Sequence, residues 1–171
     1  DAELIAQLIT RERLCAGSIE EAVSKAMERL EGAYSIVLMT ATKLIAARDP
    51  RGFHPICMGR LGEDVVFASE TCALDSMGAT FVRDVLPGEI VVVNDEGIRS
   101  VKDHCGKQKR SLCVFEYIYF ARPDSVLDGC SVHMARQRAG AFLAKEHPVD
   151  ADLVVGVPDS GIDAAIGYSR Q

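Results

Sequence analysis

The chain has 171 residues, 48% of them hydrophobic and 26% charged, with a formal net charge of −6. That is enough apolar material for a folded core, and the acidic balance, with Lys107-Gln108-Lys109-Arg110 as the longest basic cluster, argues against an extended nucleic-acid footprint. No run approaches the roughly 20 apolar residues that cross a bilayer, and the opening Asp1-Ala2-Glu3 is unlike a signal peptide, so the chain reads as cytoplasmic, with no membrane and no nucleic-acid partner.

Two helices open the chain. The first, over residues 3–15, stripes Leu4, Ile5, Leu8 and Ile9 along one face, and the second starts at Ser18, with Glu21 three residues on as a capping box. Its stripe is Ile19, Val23, Ala26, Met27 and Leu30, and Gly32 stops it. Seven short strands follow, over residues 34–40, 44–48, 56–61, 64–68, 80–85, 89–94 and 98–101, with a short helix over 72–77. The turns between them, such as Asp49-Pro50-Arg51-Gly52 and Asp95-Glu96-Gly97, are short, which favours antiparallel hairpins. Helices followed by such a sheet, with strands apolar on both faces, predict an α+β layered fold.

Beyond residue 110 the pattern changes. Cys113-Val114-Phe115-Glu116-Tyr117-Ile118-Tyr119-Phe120-Ala121-Arg122-Pro123-Asp124-Ser125 packs four of the chain's aromatic side chains into six positions. Period-two reading makes it a strand covered on both faces, with Glu116 in need of a partner and Arg122 the candidate. A helix over 131–146, an apolar strand over 153–157 and a helix over 160–168 that opens at Pro158-Asp159-Ser160 read as the start of a parallel α/β domain that does not finish by Gln171. Residues 1–110 and 111–171 are thus expected to form two domains.

The six cysteines contain no C-x-x-C pair, so most are expected buried, reduced and inert. His104, His133 and His147 lack metal-ligand spacing. Arg48, Asp49, Arg51 and Gly52 suit a folding role, because Asp-Pro-x-Gly forms turns readily.

The string from Cys113 to Ser125 resembles the domain junction of the glutamine phosphoribosylpyrophosphate amidotransferases. Gly32-Ala33-Tyr34-Ser35, Arg48-Asp49-Pro50-Arg51-Gly52, Ala68-Ser69-Glu70, Ala73-Leu74-Asp75, Arg83-Asp84-Val85 and Gly156-Val157-Pro158-Asp159-Ser160 extend the likeness from end to end. It implies an αββα Ntn-hydrolase glutaminase (class II) over 1–110, then the beginning of a type I phosphoribosyltransferase domain. The reaction implied is the first committed step of de novo purine synthesis: glutamine, PRPP and water give 5-phosphoribosylamine, glutamate and pyrophosphate.

The resemblance assigns Asp1 to the α-ammonium of glutamine, Asp159 to a pyrophosphate loop, Ser160 to Mg2+ and Cys113 to a 4Fe-4S cluster. It also implies a homo-oligomer. His54 stands where the family has arginine, so no role is carried over to it. The family nucleophile is an N-terminal cysteine with its own amine as base, and this sequence opens on Asp1. The chain alone is therefore expected to hydrolyse no glutamine and turn over no PRPP, with no catalytic residue of its own. Two other readings stand beside this one: another class II glutamine amidotransferase, or a non-enzymatic binding or assembly module built on the same fold.

Overall fold

The computed structural model describes residues 1–171. Helices α1 (Ala2–Arg13) and α2 (Ile19–Arg29) lead into strands β1 (Ser35–Met39), β2 (Leu44–Arg48), β3 (Cys57–Leu61) and β4 (Asp64–Ala68). Helix α3 (Thr71–Met77) and strands β5 (Thr80–Asp84), β6 (Ile90–Asn94) and β7 (Gly97–Val101) complete this part. The strands form two antiparallel sheets, ordered β1-β2-β6-β7 and β4-β3-β5.

The layering follows from alternation within single strands. Ile45 and Ala47 of β2, with Ile90 and Val92 of β6, pack on Val23, Ala26 and Met27 of α2 and Ile9 of α1. The intervening Ala46 and Val91 face the other way, onto Ile56, Met58 and Val85 beside and within the second sheet. Cys57, again one position out of step, meets Leu74 and Ala79 at α3. Period-two geometry thus sorts neighbouring residues into three cores and stacks helix pair, sheet, sheet and helix. This is the α+β, αββα arrangement expected from the sequence.

At the start of α2 the Ser18 hydroxyl accepts from the Glu21 amide at 3.1 Å, and Glu21 in return accepts from the Gly17 amide at 2.7 Å. The reciprocal bond falls one residue before the cap, which still satisfies two free amides. Gly88 has φ +80°, and a Cβ there would lie 2.3 Å from the His104 carbonyl oxygen. Only glycine lets the loop at residues 104–105 lie this close.

The segment expected as a covered strand is helical. Residues 116–120 form a π-helix in which Ile118, Tyr119 and Phe120 are exposed and Glu116 is buried, with Phe115, exposed as well, at its N-cap. Three of the rings, Phe115, Tyr119 and Phe120, pack against one another with centroids 5.2 to 5.9 Å apart. Alternation misleads here because a wide helical turn also spreads a dense aromatic run over its surface.

A two-stranded hairpin, β8 (Val126–Leu127) and β9 (Cys130–Ser131), follows. Asp128 (φ +49°) and Gly129 (φ +79°) form its two-residue turn, the left-handed pair that matches hairpin twist. Helices α4 (Val132–Glu146) and α5 (Ser160–Ser169) close the chain.

The strand expected over 153–157 does not form. That segment carries no sheet pairing, and Leu153, Val155 and Val157 are 76 to 79% exposed. A strand is defined by a hydrogen-bonding neighbour, and none of this chain's other strands lies beside it.

Candidate functional site

The turn after β2 is built around two buried charges. Arg48 and Asp49 are both 0% exposed. The Asp49 carboxylate accepts from the amides of Arg51 and Phe53, each at 2.9 Å, so it holds the turn closed as expected of a folding residue.

Arg48 commits all five of its N–H donors. Nε donates to the His54 carbonyl at 2.8 Å, Nη1 to the Val85 carbonyl at 2.8 Å and Nη2 to the Gly52 carbonyl at 3.0 Å. The remaining two go to Asp128, both at 3.1 Å, as a bidentate pair. Arg110 reaches the same carboxylate from the surface, at 2.5 Å. Burial opposes ionisation of Asp128, but the hydrogen bonds from Arg48 and Arg110 outweigh it and hold the group below the ordinary aspartate value.

The neighbouring Asp84 shows the reverse balance. Burial raises its pKa, and the Asp128 charge adds to that. Beside them, the fully buried Glu89 receives Arg83 at 2.8 and 2.9 Å and the Leu86 amide at 2.8 Å. Burial works against its charge too, yet these bonds keep it below the usual carboxylate value. Arg83, Asp84, Lys102, Arg110 and Asp128 line a cleft of about 490 Å3.

Six further hydrogen bonds join residues 111–126 to the layers. The amides of Ser111 and Cys113 donate to the carbonyls of Arg51 and Phe53, each at 2.9 Å. Glu70 accepts from the Arg122 amide at 2.8 Å and the Ser125 hydroxyl at 2.7 Å, and the Thr71 hydroxyl accepts from the Val126 amide at 2.9 Å. His54 Nδ1 lies 2.7 Å from Glu116 Oε1. The expected partner of Glu116, Arg122, instead pairs with Asp124 at 2.7 Å. On a helix the two residues no longer share a strand face, and two positions of separation put the shorter reach within Arg122's own turn.

The four residues singled out from the sequence lie at three places. Asp1 is exposed at the start of α1, where its side chain makes no capping bond and its carbonyl accepts from the Ile5 amide at 3.0 Å. Cys113 is half-buried at the foot of the π-helix segment. Asp159 and Ser160 stand together at the N-terminus of α5, Asp159 at the cap position without a side-chain capping bond and Ser160 as the first helical residue. No hydrogen bond or ion pair links these three places.

At α5 the loop meets the helix in backbone contact. A Cβ on Gly156 would lie 2.6 Å from the Gly161 carbonyl oxygen. The Gly161 and Ile162 amides are turned inward, to the carbonyls of Val157 (3.0 Å) and Asp159 (3.3 Å). The amides of Asp159 and Ser160 make no hydrogen bond within the chain. They are free donors at the positive end of a helix dipole.

Cys113 does not meet a metal set. No three His, Cys, Asp or Glu side chains converge as ligands anywhere in the chain, whereas an iron-sulfur cluster of this kind needs four thiolates. These residues alone do not fit the group. No helix is long and apolar enough to cross a membrane.

Asp128 is not singled out by the sequence, and Arg110 and Glu70 stand there only within a basic cluster and a family string, with no partner assigned. Asp128-Gly129 between Leu127 and Cys130 was a usable hairpin signal. The ion pair was not readable, because it spans eighty residues.

Residues 1–76 match the family model described as a glutamine amidotransferase domain. Amidophosphoribosyltransferases from Archaeoglobus fulgidus and Synechocystis sp. are 45% and 49% identical over 100% and 99% of this chain, which covers 37% and 35% of their lengths. The Bacillus subtilis glutamine PRPP amidotransferase, solved with ADP and GMP, superposes with a TM-score of 0.92 at 46% identity, over 99% of this chain and 37% of that one. The chain therefore spans a little over a third of the relatives it matches, and it belongs to the amidophosphoribosyltransferase family.

Proposed function

We propose that the chain serves an amidophosphoribosyltransferase, a glycosyl-transferring glutamine amidotransferase. In this reaction water hydrolyses glutamine to glutamate and ammonia, and the ammonia displaces pyrophosphate from C1 of PRPP to give 5-phosphoribosylamine. The observation that carries the reading is the pair of free amides at Asp159 and Ser160, at the mouth of a ten-residue helix, in a chain close along its whole length to glutamine PRPP amidotransferases.

Two amide donors and a helix dipole suit the pyrophosphate of PRPP without any side-chain charge. Ser160 adds a hydroxyl for the Mg2+ that accompanies a diphosphate, and Asp159 an exposed carboxylate beside it. Asp1 carries an uncommitted carboxylate at the other end of the chain, a fitting partner for the α-ammonium of glutamine. Cys113 supplies one thiolate to a 4Fe-4S cluster only where further cysteines are brought to it. Ammonia stays nucleophilic only while unprotonated, so the two sites gain from working in one sheltered body.

Steady-state kinetics on the protein containing this chain test the assignment. Asp159→Asn with Ser160→Ala should raise KM for PRPP about tenfold or more and leave KM for glutamine alone, and Asp1→Asn should do the opposite. Equal effects on both substrates from either variant would remove the assignment.

A further inference from the structure

We infer that Asp128 is a positioning residue that holds the phosphoribosyl-binding end of the molecule in fixed register with the layered glutaminase end, so that ammonia made at one is delivered to the other. This rests on the function proposed above.

A chain of contacts runs from Arg48 through the hairpin and α4 to α5. Arg48 is anchored by the three carbonyls of Gly52, His54 and Val85, which leaves its guanidinium no rotational freedom. Its two remaining donors meet both oxygens of Asp128, and a bidentate pair fixes orientation as well as distance. Asp128 is itself fixed, as the first turn residue of the β8–β9 hairpin.

Three residues later, Ser131 caps α4 by accepting from the Met134 amide at 3.3 Å. Arg136 of α4 reaches back, with Nε to the Tyr117 carbonyl and Nη2 to the Ala121 carbonyl, both at 2.7 Å. The Tyr117 hydroxyl donates to the Leu127 carbonyl at 2.8 Å. Hairpin, π-helix and α4 are thereby braced as a triangle.

From α4 the constraint passes to α5 through glycine. A Cβ on Gly140 would lie 1.9 Å from the Ala164 carbonyl oxygen, and one on Gly167 would lie 1.9 Å from that of Gln137. Backbones in such contact cannot slide independently, so the free amides at Asp159 and Ser160 move with α4. The bonds from Glu70 and Thr71 hold the hairpin at a second point. Loss of the Asp128 pair therefore frees a pivot without detaching the hairpin. The ratio of products measures this coupling directly.

The test is Asp128→Asn, which keeps a residue tolerant of positive φ but removes the charge. Phosphoribosylamine formed and glutamate released are measured together with glutamine as nitrogen source, and phosphoribosylamine again with ammonium chloride. The expected result is ammonium-driven synthesis and glutamine KM within about twofold of the parent, while phosphoribosylamine per glutamate falls below about half. Arg110→Ala, which leaves the Arg48 pair in place, should keep the parental ratio.

An unchanged ratio in Asp128→Asn overturns the inference. So does a parallel loss of ammonium-driven synthesis in both Asp128→Asn and the milder Arg48→Lys, which would make the pair a folding element only. A parent protein that releases no glutamate from glutamine would overturn the proposed function itself, and this inference with it.

Discussion

His54 Nδ1 sits 2.7 Å from an oxygen of Glu116, and it is the one side chain that hydrogen-bonds this buried carboxylate. The imidazole lies at the end of the charged turn after β2, and the carboxylate opens the π-helix, so the contact fastens the two. Removing the donor strands a buried acceptor, whereas changing the acceptor to an amide leaves hydrogen bonding possible. His54→Ala should cost about 1–3 kcal/mol and Glu116→Gln less than about 1 kcal/mol. Thermal melts of the two variants at neutral pH check the order, and an unaltered melt for His54→Ala would refute it.

Asp84 and Asp128 carry opposite shifts, and the signs predict opposite pH behaviour. The folded pKa of Asp128 is lowered, so its stabilisation is present above the unfolded carboxylate range, about 4, and is lost as pH falls through the lower folded value. The folded pKa of Asp84 is raised, so its ionised form costs stability at neutral pH, a cost relieved as pH drops through that raised value. Asp84→Asn should therefore stabilise the fold at pH 7, read as a raised Tm, by less than about 1 kcal/mol because solvent screens a half-buried site. The gain should vanish below about pH 4. A gain that persists in acid would contradict the assignment.

Tyr34 is buried, and its hydroxyl has no hydrogen-bond partner. Burial, with the Asp49 charge adding to it, pushes the phenol up to about 12. Tyr34→Phe discards the unpaired group and keeps the ring, so it should be neutral or stabilising by about 1 kcal/mol. Chemical denaturation reads this; a loss exceeding about 1 kcal/mol would mean the hydroxyl is satisfied in solution.

At the crossing of α4 and α5 no side chain fits. Gly140→Ala and Gly167→Ala each place a methyl within 1.9 Å of a facing carbonyl oxygen. Each should destabilise the helix pair by about 1–3 kcal/mol or more through forced separation. Faster amide exchange in α4 and α5 than in β2 and β6 is the expected signature. Uniform loss of protection throughout would instead show that the helices and the layers unfold together.

Most of the layered part was legible, because its information is local. Alternation in β2 and β6 assigns Ile45 and Ala46 to different cores without reference to any distant residue. Strand ends at Leu44, Arg48, Asp64 and Ala68 fall where turn chemistry places them. The aromatic segment was misread because its exposed rings obey no rule of burial, and an apolar run leaves period ambiguous. The unpaired stretch at Leu153 to Val157 was misread because composition states what a segment could pair with, never whether a neighbour is there. The candidate residues Asp1, Cys113, Asp159 and Ser160 were found by likeness. The junction at Arg48, Glu70 and Asp128 escaped because long-range polar contacts leave no spacing in sequence.

Asp128 answers two unrelated demands. Its backbone occupies a left-handed conformation, which glycine or asparagine would meet as well, and its carboxylate neutralises an arginine sealed from water, which glutamate would meet in charge but not in turn geometry. The intersection of those two sets contains a single amino acid. Mutational scanning should find almost no tolerated replacement here, in a turn whose neighbours Val126 and Cys130 sit at the surface and accept many.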